Sequence, residues 1–174
     1  VDSEAGFSVL KDDKGLFEDY LPNPKRYWIC PPTEEEFAAS CNEFWWVSTY
    51  VVKGIRRNQL VYATDHLYSI CQQELLKVFA WQVASARGTV DIGKNYKYLF
   101  HYLPAEKEKE FSTLLDLSSI EKISQSLFAT MNVFHREAQD LAHKMEFDYD
   151  RKEAEKMMAY AEEKLLNLWF NHLF

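Results

Sequence analysis

The chain has 174 residues, of which 47% are hydrophobic and 16% aromatic, and it carries a formal net charge of -7 at pH 7. This composition predicts one folded domain rather than a disordered chain, and the acidic balance disfavours nucleic acid and favours a cationic partner. No apolar run approaches the roughly 20 residues that span a bilayer and no signal peptide opens the sequence, so we expect a cytoplasmic protein without a membrane partner.

Residues 1–32 are expected to be extended connecting material. A short strand is predicted at Phe7–Leu10, and the turn-rich run KDDKG and the extended run DYLPNPKRYWICPP follow it. With only five Gly and five Pro in the whole chain, long helical stretches remain uninterrupted beyond this segment. The predicted fold class is therefore all-α: an antiparallel bundle of four main helices plus short helices over residues 33–174, preceded by an extended N-terminal segment.

The first helix has a clear start signal. Thr33 and Glu36 form a capping box, in which hydroxyl and carboxylate satisfy backbone N–H groups of the first turn. Two outcomes are open at its other end: Gly54 takes a left-handed C-cap conformation, or the helix runs through it with a kink. Three- and four-residue steps mark the core side: Phe37, Cys41, Phe44, Ser48, Val51 and Ile55.

A second stripe lies beside this core side. Glu43, Trp46, Tyr50 and Lys53 follow the same helical spacing and mix acidic, aromatic and basic groups. Such a stripe exceeds what the core of a simple bundle needs. Trp45 borders the apolar stripe, and we predict that it is buried in the core.

A second long helix is predicted from about residue 58 to Arg87, with Gly88 as its stop. The residues expected on its buried side are Leu60, Leu67, Cys71, Leu75, Val78 and Gln82 or Trp81. The run TVDIGKNYKYLFHYL predicts a loop and a short amphipathic helix that Pro104 ends. A small charged helix is predicted over AEKEKEF.

Capping boxes also predict the starts of the last two main helices. Ser118 and Glu121 are predicted to cap a helix that reaches about Met145, and Asp150 and Glu153 repeat the pattern for the last helix. The triplet Asp148-Tyr149-Asp150 spells Asp-x-Asp, a metal-binding pattern in some enzymes. Because it stands between two predicted helices, we favour capping over metal binding.

The runs EFWWVSTYVVKGIRRNQLVYATDHL, LLKVFAWQVASARG and DIGKNYKYL together carry a resemblance to a known family. They closely resemble the C-terminal helical half of the aminoglycoside 6-adenylyltransferases, also called streptomycin adenylyltransferases. The likeness runs from about Tyr27 through Leu103 and weakens beyond.

The resemblance implies transfer of AMP from ATP to a streptomycin hydroxyl, with Mg²⁺ stabilising the transferring phosphoryl group. In that family the chemistry is carried by an N-terminal nucleotidyltransferase domain with a Gly-Ser turn and an Asp-x-Asp strand. We expect residues 1–32 to hold the remnant of its last strand and residues 33–174 to be the substrate-binding domain. ATP and Mg²⁺ are then expected for the full-length enzyme, whereas this chain alone is expected to be inactive.

The resemblance also suggests where the drug binds. Streptomycin carries guanidinium groups, so Glu43 and Asp65 could bind them through paired hydrogen bonds, while Trp46 and Tyr50 offer faces for cation–π stacking. Ordinary alternatives stay open for each residue: Glu43 and Asp65 as surface ion-pair partners, and Trp46 as a packing residue.

A second hypothesis concerns contacts with ATP. Lys53, Lys94 and Lys97 could bind its phosphates, and Tyr96 could stack on adenine or pack inward. Solvated lysines at a helix start are the ordinary alternative.

The histidines, the three cysteines and Ser48 show no spacing of a metal site or a nucleophile with its base, so we predict no catalytic and no metal-binding residue. The odd number of cysteines indicates reduced thiols. An alternative function is a non-catalytic helical interaction module on the same scaffold. In either case, an apolar surface meant for the catalytic domain could make the chain self-associate.

Overall fold

The computed structural model describes residues 13–14 and 25–170, except for the side chains of residues 166–170, so the strand predicted at Phe7–Leu10 lies outside the described residues. The predicted all-α bundle of four main helices with shorter ones is confirmed. The elements in order are β1 (Trp28–Ile29), α1 (Glu34–Arg56), α2 (Leu60–His66), a π-helical turn (Leu67–Cys71), α3 (Gln72–Arg87), β2 (Val90–Asp91), two 3₁₀ turns (Lys94–Tyr96 and Leu99–Tyr102), α4 (Ala105–Thr113), α5 (Ile120–Met145) and α6 (Arg151–Phe170).

Helix α1 begins as the capping box predicts. The Glu36 backbone N–H donates to Thr33 Oγ1 at 3.2 Å, and the Thr33 N–H donates to Glu36 Oε2 at 2.8 Å. The predicted apolar stripe is confirmed, because Phe37, Phe44 and Val51 are fully buried. Local sequence signals therefore account for both the start and the buried side of this helix.

The helix runs through Gly54 and ends at Arg56, so the second of the two outcomes for its end is the observed one. Gly54 is buried against α2. The chain reverses at Asn58, which takes a left-handed conformation with φ of 54°. Helix α2 then returns along α1 from Leu60 onward.

The predicted second long helix is present as three consecutive elements, α2, the π-helical turn and α3. Leu67, Cys71, Leu75 and Val78 are fully buried as predicted, whereas Leu60, at the start of α2, is 41% exposed and was wrongly assigned to the buried side. The π-helical turn accommodates one extra residue in the helical path. Gly88, with φ of 81°, follows the end of α3 as expected.

Helix directions follow from which residues meet. Phe44 of α1 stacks on Phe134 of α5 with ring centroids 3.6 Å apart, while Phe37 lies near Phe147, so α1 and α5 are antiparallel. Helix α3 runs antiparallel to α1 as well, because Cys71, just before α3, contacts Phe44, and Glu74 contacts Ser40, which lies closer to the start of α1.

Two pairs run in the same direction, which the predicted antiparallel arrangement did not include. Gln72 Nε2 of α3 lies 3.3 Å from Ser126 Oγ of α5, and Gln82 Nε2 donates to Glu137 Oε2 at 2.9 Å. Helices α3 and α5 are therefore parallel, because the segment 88–119 carries the chain back between them. Helices α1 and α6 are parallel too: Asp148 N bonds Glu34 Oε1, and Tyr160 lies beside Lys53 and Arg56.

The crossover segment differs from its prediction. Instead of one amphipathic helix it forms two 3₁₀ turns, because Asn95 and Tyr96 take left-handed φ values of 52° and 61° that no α-helix accommodates. Its first residues pair with the N-terminal segment in a two-stranded antiparallel sheet, with Trp28 opposite Asp91 and Ile29 opposite Val90. This small sheet was not predicted.

The predicted cap of α5 was wrong by one residue. Ser119 is the N-cap, and its Oγ accepts from the Lys122 N–H at 3.2 Å. The Ser118 hydroxyl instead donates to Asp116 Oδ1 at 2.7 Å, so it is not available to cap the helix. The predicted cap of α6 is confirmed, because the N–H at position 153 donates to Asp150 Oδ1 at 2.9 Å.

A buried carboxylate ties three helices together. Glu137 of α5 is fully buried, forms an ion pair with Lys107 of α4, and accepts hydrogen bonds from Gln82 of α3 and from Arg136. Burial raises the pKa of Glu137, but the bonds from Lys107, Gln82 and Arg136 outweigh burial and hold the pKa below its ordinary value. The crossover is thereby fixed to the bundle.

Candidate functional site: the exposed face of helix α1

Helix α1 presents two adjacent tryptophans to opposite environments. Trp45 is 3% exposed and belongs to the core as predicted, whereas Trp46 is 60% exposed. The Trp46 indole N–H donates to the Tyr50 hydroxyl at 2.9 Å, and the two rings meet edge to face at 6.2 Å. The exposed stripe is therefore an ordered surface, held by its own hydrogen bond.

Helix α2 extends this surface. The His66 ring lies edge-on to Tyr50 at 5.8 Å and is tilted over Tyr62 at 4.1 Å. We call the set Trp46, Tyr50, Tyr62 and His66 the aromatic face. Sequence reasoning missed Tyr62 and His66, although their four-residue spacing on one helix was a usable signal.

Glu43 lies one turn before Trp46 and is exposed. No described residue forms an ion pair or hydrogen bond with its carboxylate. The pKa of the buried Cys71 thiol is raised by burial first, then by the charge of Glu74, and also by the charge of Glu43. The aromatic face therefore has a negative charge at one end.

Cations gather at the opposite end of the aromatic face. Lys53 Nζ lies 5.6 Å from the centroid of the Tyr50 ring, and the same lysine lines a groove of about 340 Å³. We call this the cation groove. Its lining residues are Val52, Lys53, Arg56, Arg57 and Tyr160. Three basic side chains around one groove in an acidic protein suit an anion.

Asp65 does not lie on the aromatic face. Its carboxylate accepts from the Ser69 hydroxyl at 3.1 Å and borders a different, apolar groove of about 380 Å³. Val61, in the same groove, is 80% exposed. The remaining lining residues are Leu60, Thr64, Tyr68, Leu117 and Ser118.

Lys94, Tyr96 and Lys97 occupy the turn after β2, away from Lys53. Tyr96 lines a groove of about 380 Å³ together with Glu36, which lies 17 residues before Lys53 on α1, a separation of about 25 Å along the helix. Burial, and then the charge of Glu74, raises the pKa of Tyr96 to about 12. The structure thus divides the four predicted nucleotide-binding residues between two places.

The fourth groove, of about 420 Å³, lies between the start of α1 and the link from α5 to α6. It includes the Asp148-Tyr149-Asp150 triplet, in which Asp150 caps α6.

Within the described ranges, no group of three or more His, Cys, Asp or Glu side chains is placed to hold a metal ion. No helix in these ranges has the length and apolarity needed to cross a membrane.

The fold and this surface define a class: a helical-bundle domain that presents an aromatic face between a carboxylate and a groove of cations. The family model for streptomycin adenylyltransferase matches residues 2–164. The chain belongs to the streptomycin adenylyltransferase family.

Two sequence relatives and one solved structure show the extent of this similarity. The aminoglycoside 6-adenylyltransferase of Bacillus subtilis (strain 168) is 38% identical over 140 residues, covering 79% of this chain and 49% of the relative. The Staphylococcus aureus enzyme of the same name is 38% identical over 138 residues, covering 76% and 48%. A crystal structure of an aminoglycoside 6-adenyltransferase from Bacillus subtilis superposes with a TM-score of 0.74 at 36% identity, covering 79% of this chain and 52% of that one. The chain thus spans about half the length of the curated relatives it matches.

Proposed function

We propose that this chain is the substrate-binding half of an aminoglycoside nucleotidyltransferase that transfers AMP from ATP to a hydroxyl of a streptomycin-type drug. Residues 33–174 would be the drug-binding domain, and residues 1–32 the connection to a catalytic domain with the Gly-Ser turn and Asp-x-Asp strand. The family membership and the half-length match to aminoglycoside 6-adenylyltransferases support this division.

The observation that carries the proposal is the position of Lys53 over the ring of Tyr50, at 5.6 Å. This contact joins the aromatic face to the cation groove. A transferase must hold its cationic acceptor and its anionic donor side by side, because positioning both reactants supplies a large part of the rate enhancement. Helix α1 offers adjacent surfaces for the two.

On the drug side, Glu43 would accept paired hydrogen bonds from a guanidinium group, and Trp46 and Tyr50 would stack on cationic groups. The Trp46–Tyr50 hydrogen bond holds both rings in place before the ligand arrives. Asp65, in the neighbouring apolar groove, would attract cationic groups that extend past α2.

On the nucleotide side, Lys53, Arg56 and Arg57 would bind the phosphates of ATP. We do not extend this role to Lys94, Tyr96 and Lys97, because about 25 Å of helix is too long for one triphosphate to bridge. When bound, Mg²⁺ would neutralise charge on the transferring phosphoryl group. Its ligands are expected in the catalytic domain.

Titration calorimetry with streptomycin tests the drug side. Glu43→Gln and Trp46→Ala should each weaken binding by about fivefold or more, since a charge-assisted hydrogen bond or a cation–π contact contributes about 1–2 kcal/mol. Tyr98→Ala, an exposed aromatic in the turn after β2, is the matched control and should bind as wild type does. Unchanged affinity in both test variants would contradict the drug-side assignment.

Titration with ATP tests the nucleotide side. Lys53→Ala and Arg57→Ala should weaken binding, and the loss should shrink as salt rises, because exposed charges are screened. Lys152→Ala, an exposed lysine near the start of α6, serves as the control. Equal ATP binding by Lys53→Ala and Lys152→Ala would exclude the cation groove as the phosphate site.

The exposed apolar groove around Val61 favours a second candidate function, a helical interaction module that also self-associates. Light scattering should then give a molecular mass that rises with protein concentration. Val61→Glu should remove this rise, whereas Lys152→Glu should not. A constant monomer mass at all concentrations would exclude self-association.

A further inference from the structure

We propose that His66 is a specificity-determining residue of the aromatic face, whose Nε2 accepts a hydrogen bond from a guanidinium N–H of the bound ligand. This inference rests on the proposed function, since it adds a second hydrogen-bond acceptor to the same drug-binding surface.

The hydrogen bond on the other side of the ring fixes the tautomer. His66 Nδ1 lies 2.8 Å from the backbone carbonyl oxygen of Tyr62. A carbonyl oxygen can only accept, so Nδ1 must carry the proton. In the neutral ring, Nε2 then has a lone pair and acts as an acceptor.

The same bond determines where that lone pair points. Because Nδ1 faces the backbone of its own helix, Nε2 points away from α2, and no described residue forms a hydrogen bond with it. The ring is half-buried and held by Tyr50 and Tyr62, so its orientation is restricted. The acceptor is therefore fixed in direction before any ligand binds.

The position of His66 relative to Glu43 indicates what kind of ligand this surface suits. His66 contacts Tyr50, which lies seven residues after Glu43 on α1. The two acceptors are therefore separated by about 10 Å along the axis of α1. The surface thus offers one acceptor a turn before Trp46 and another beside Tyr50. A planar cation stacked on an aromatic ring directs its N–H groups sideways, toward such acceptors. This arrangement suits a ligand with two guanidinium groups, such as streptomycin.

The backbone after His66 supports a special role for this position. The π-helical turn begins at the next residue, Leu67, and π-helical turns occur frequently at functional sites. The turn keeps Leu67 and Cys71 buried while the helix before it presents Tyr62 and His66 to the face.

Two substitutions separate the acceptor role from simple packing. His66→Phe keeps an aromatic ring between Tyr50 and Tyr62 but has no acceptor, whereas His66→Gln keeps an acceptor but loses the ring. We expect streptomycin affinity, measured by calorimetry, to fall about tenfold in His66→Phe and to stay within about threefold in His66→Gln. The reverse order would overturn the proposal and leave His66 as a packing residue.

Nitrogen NMR of the wild-type chain supplies a second readout. On saturation with streptomycin, the Nε2 resonance of His66 should shift as its lone pair accepts a hydrogen bond, while Nδ1 should stay nearly unchanged. Binding without any Nε2 shift would overturn this proposal alone. If wild type does not bind streptomycin at all, the proposed function of the chain fails and this inference fails with it.

Discussion

Gly54 of α1 and Ala63 of α2 approach so closely that a Cβ added at Gly54 would lie 3.0 Å from the Cβ of Ala63 and 2.9 Å from Cδ1 of Tyr62. Only glycine permits this approach without a shift of α2. The close packing brings His66 within contact of Tyr50, so a core residue sets the geometry of the exposed aromatic face.

Gly54→Ala should destabilise the fold. Alanine is favoured in a helix by about 1 kcal/mol, but overpacking against Ala63 costs about 1–3 kcal/mol, so we expect a net loss in the free energy of unfolding. Urea unfolding measures it. Adding Ala63→Gly should recover part of the loss, because the nearest methyl group is removed, and the two changes should be non-additive. A Gly54→Ala protein at least as stable as wild type would contradict the close packing.

The start of α5 offers a test at two adjacent serines. Ser119→Ala removes the observed N-cap and should lower the free energy of unfolding by about 1 kcal/mol. Ser118→Ala removes only an exposed bond to Asp116 and should have an effect within about 0.5 kcal/mol. Urea unfolding of both variants measures which serine caps α5. A larger loss for Ser118→Ala would contradict Ser119 as the N-cap and favour the capping box predicted from the sequence.

Glu137 should make stability depend on pH. Its pKa is lower in the folded protein than in the unfolded chain, so its contribution is present at neutral pH and is lost as pH falls through the folded-state pKa. Glu137→Ala should cost about 3 kcal/mol near pH 7 and much less in acid, because it leaves Lys107 and Gln82 without their buried partner.

The matched control for this experiment is Glu110→Ala, which removes only the partly exposed ion pair with Arg136. Its effect should stay below about 1 kcal/mol. Urea unfolding across the acidic range measures both variants. Equal losses for Glu137→Ala at neutral and acidic pH would show that the carboxylate charge contributes nothing.

The three cysteines should react at different rates with a thiol reagent. Cys30 is exposed, whereas burial, and then the charge of Glu74, raises the pKa of Cys41 to about 12 and raises that of Cys71 as well. Because the thiolate is the reactive form, only one thiol should react rapidly near pH 8, and the other two should react after unfolding. Cys30→Ser should abolish the rapid phase; a rapid phase that survives would place a reactive thiol among the other two.

The sequence predicts α1 well because its signals are local. The capping box at Thr33 and the buried stripe both follow from spacing within one helix. The same reasoning located Glu43, Tyr50 and Lys53 on one neighbouring surface. Each of these inferences needs only the 3.6-residue period of the helix.

What the sequence could not predict depends on contacts between distant segments or on backbone conformations without a residue signal. His66 joins the site only because α2 lies so close to α1. Asn95 and Tyr96 take left-handed conformations without a glycine to indicate them. Asp65 lies on α2, as His66 does, but it faces the apolar groove around Val61 rather than the aromatic face. Successive residues on a helix point about 100° apart, so only one of these two neighbours can face Tyr50.

The crossover between α3 and α5 has a kinetic cost. Because these parallel helices are joined by the segment 88–119, the bonds from Gln72 to Leu114 and from Gln82 to Glu137 close loops of 42 and 55 residues. A bundle built from adjacent hairpins closes only short loops, and folding slows as contacts become more distant in sequence. This chain should therefore fold more slowly than helical proteins of its size usually do, with the α3–α5 interface among the last parts to form.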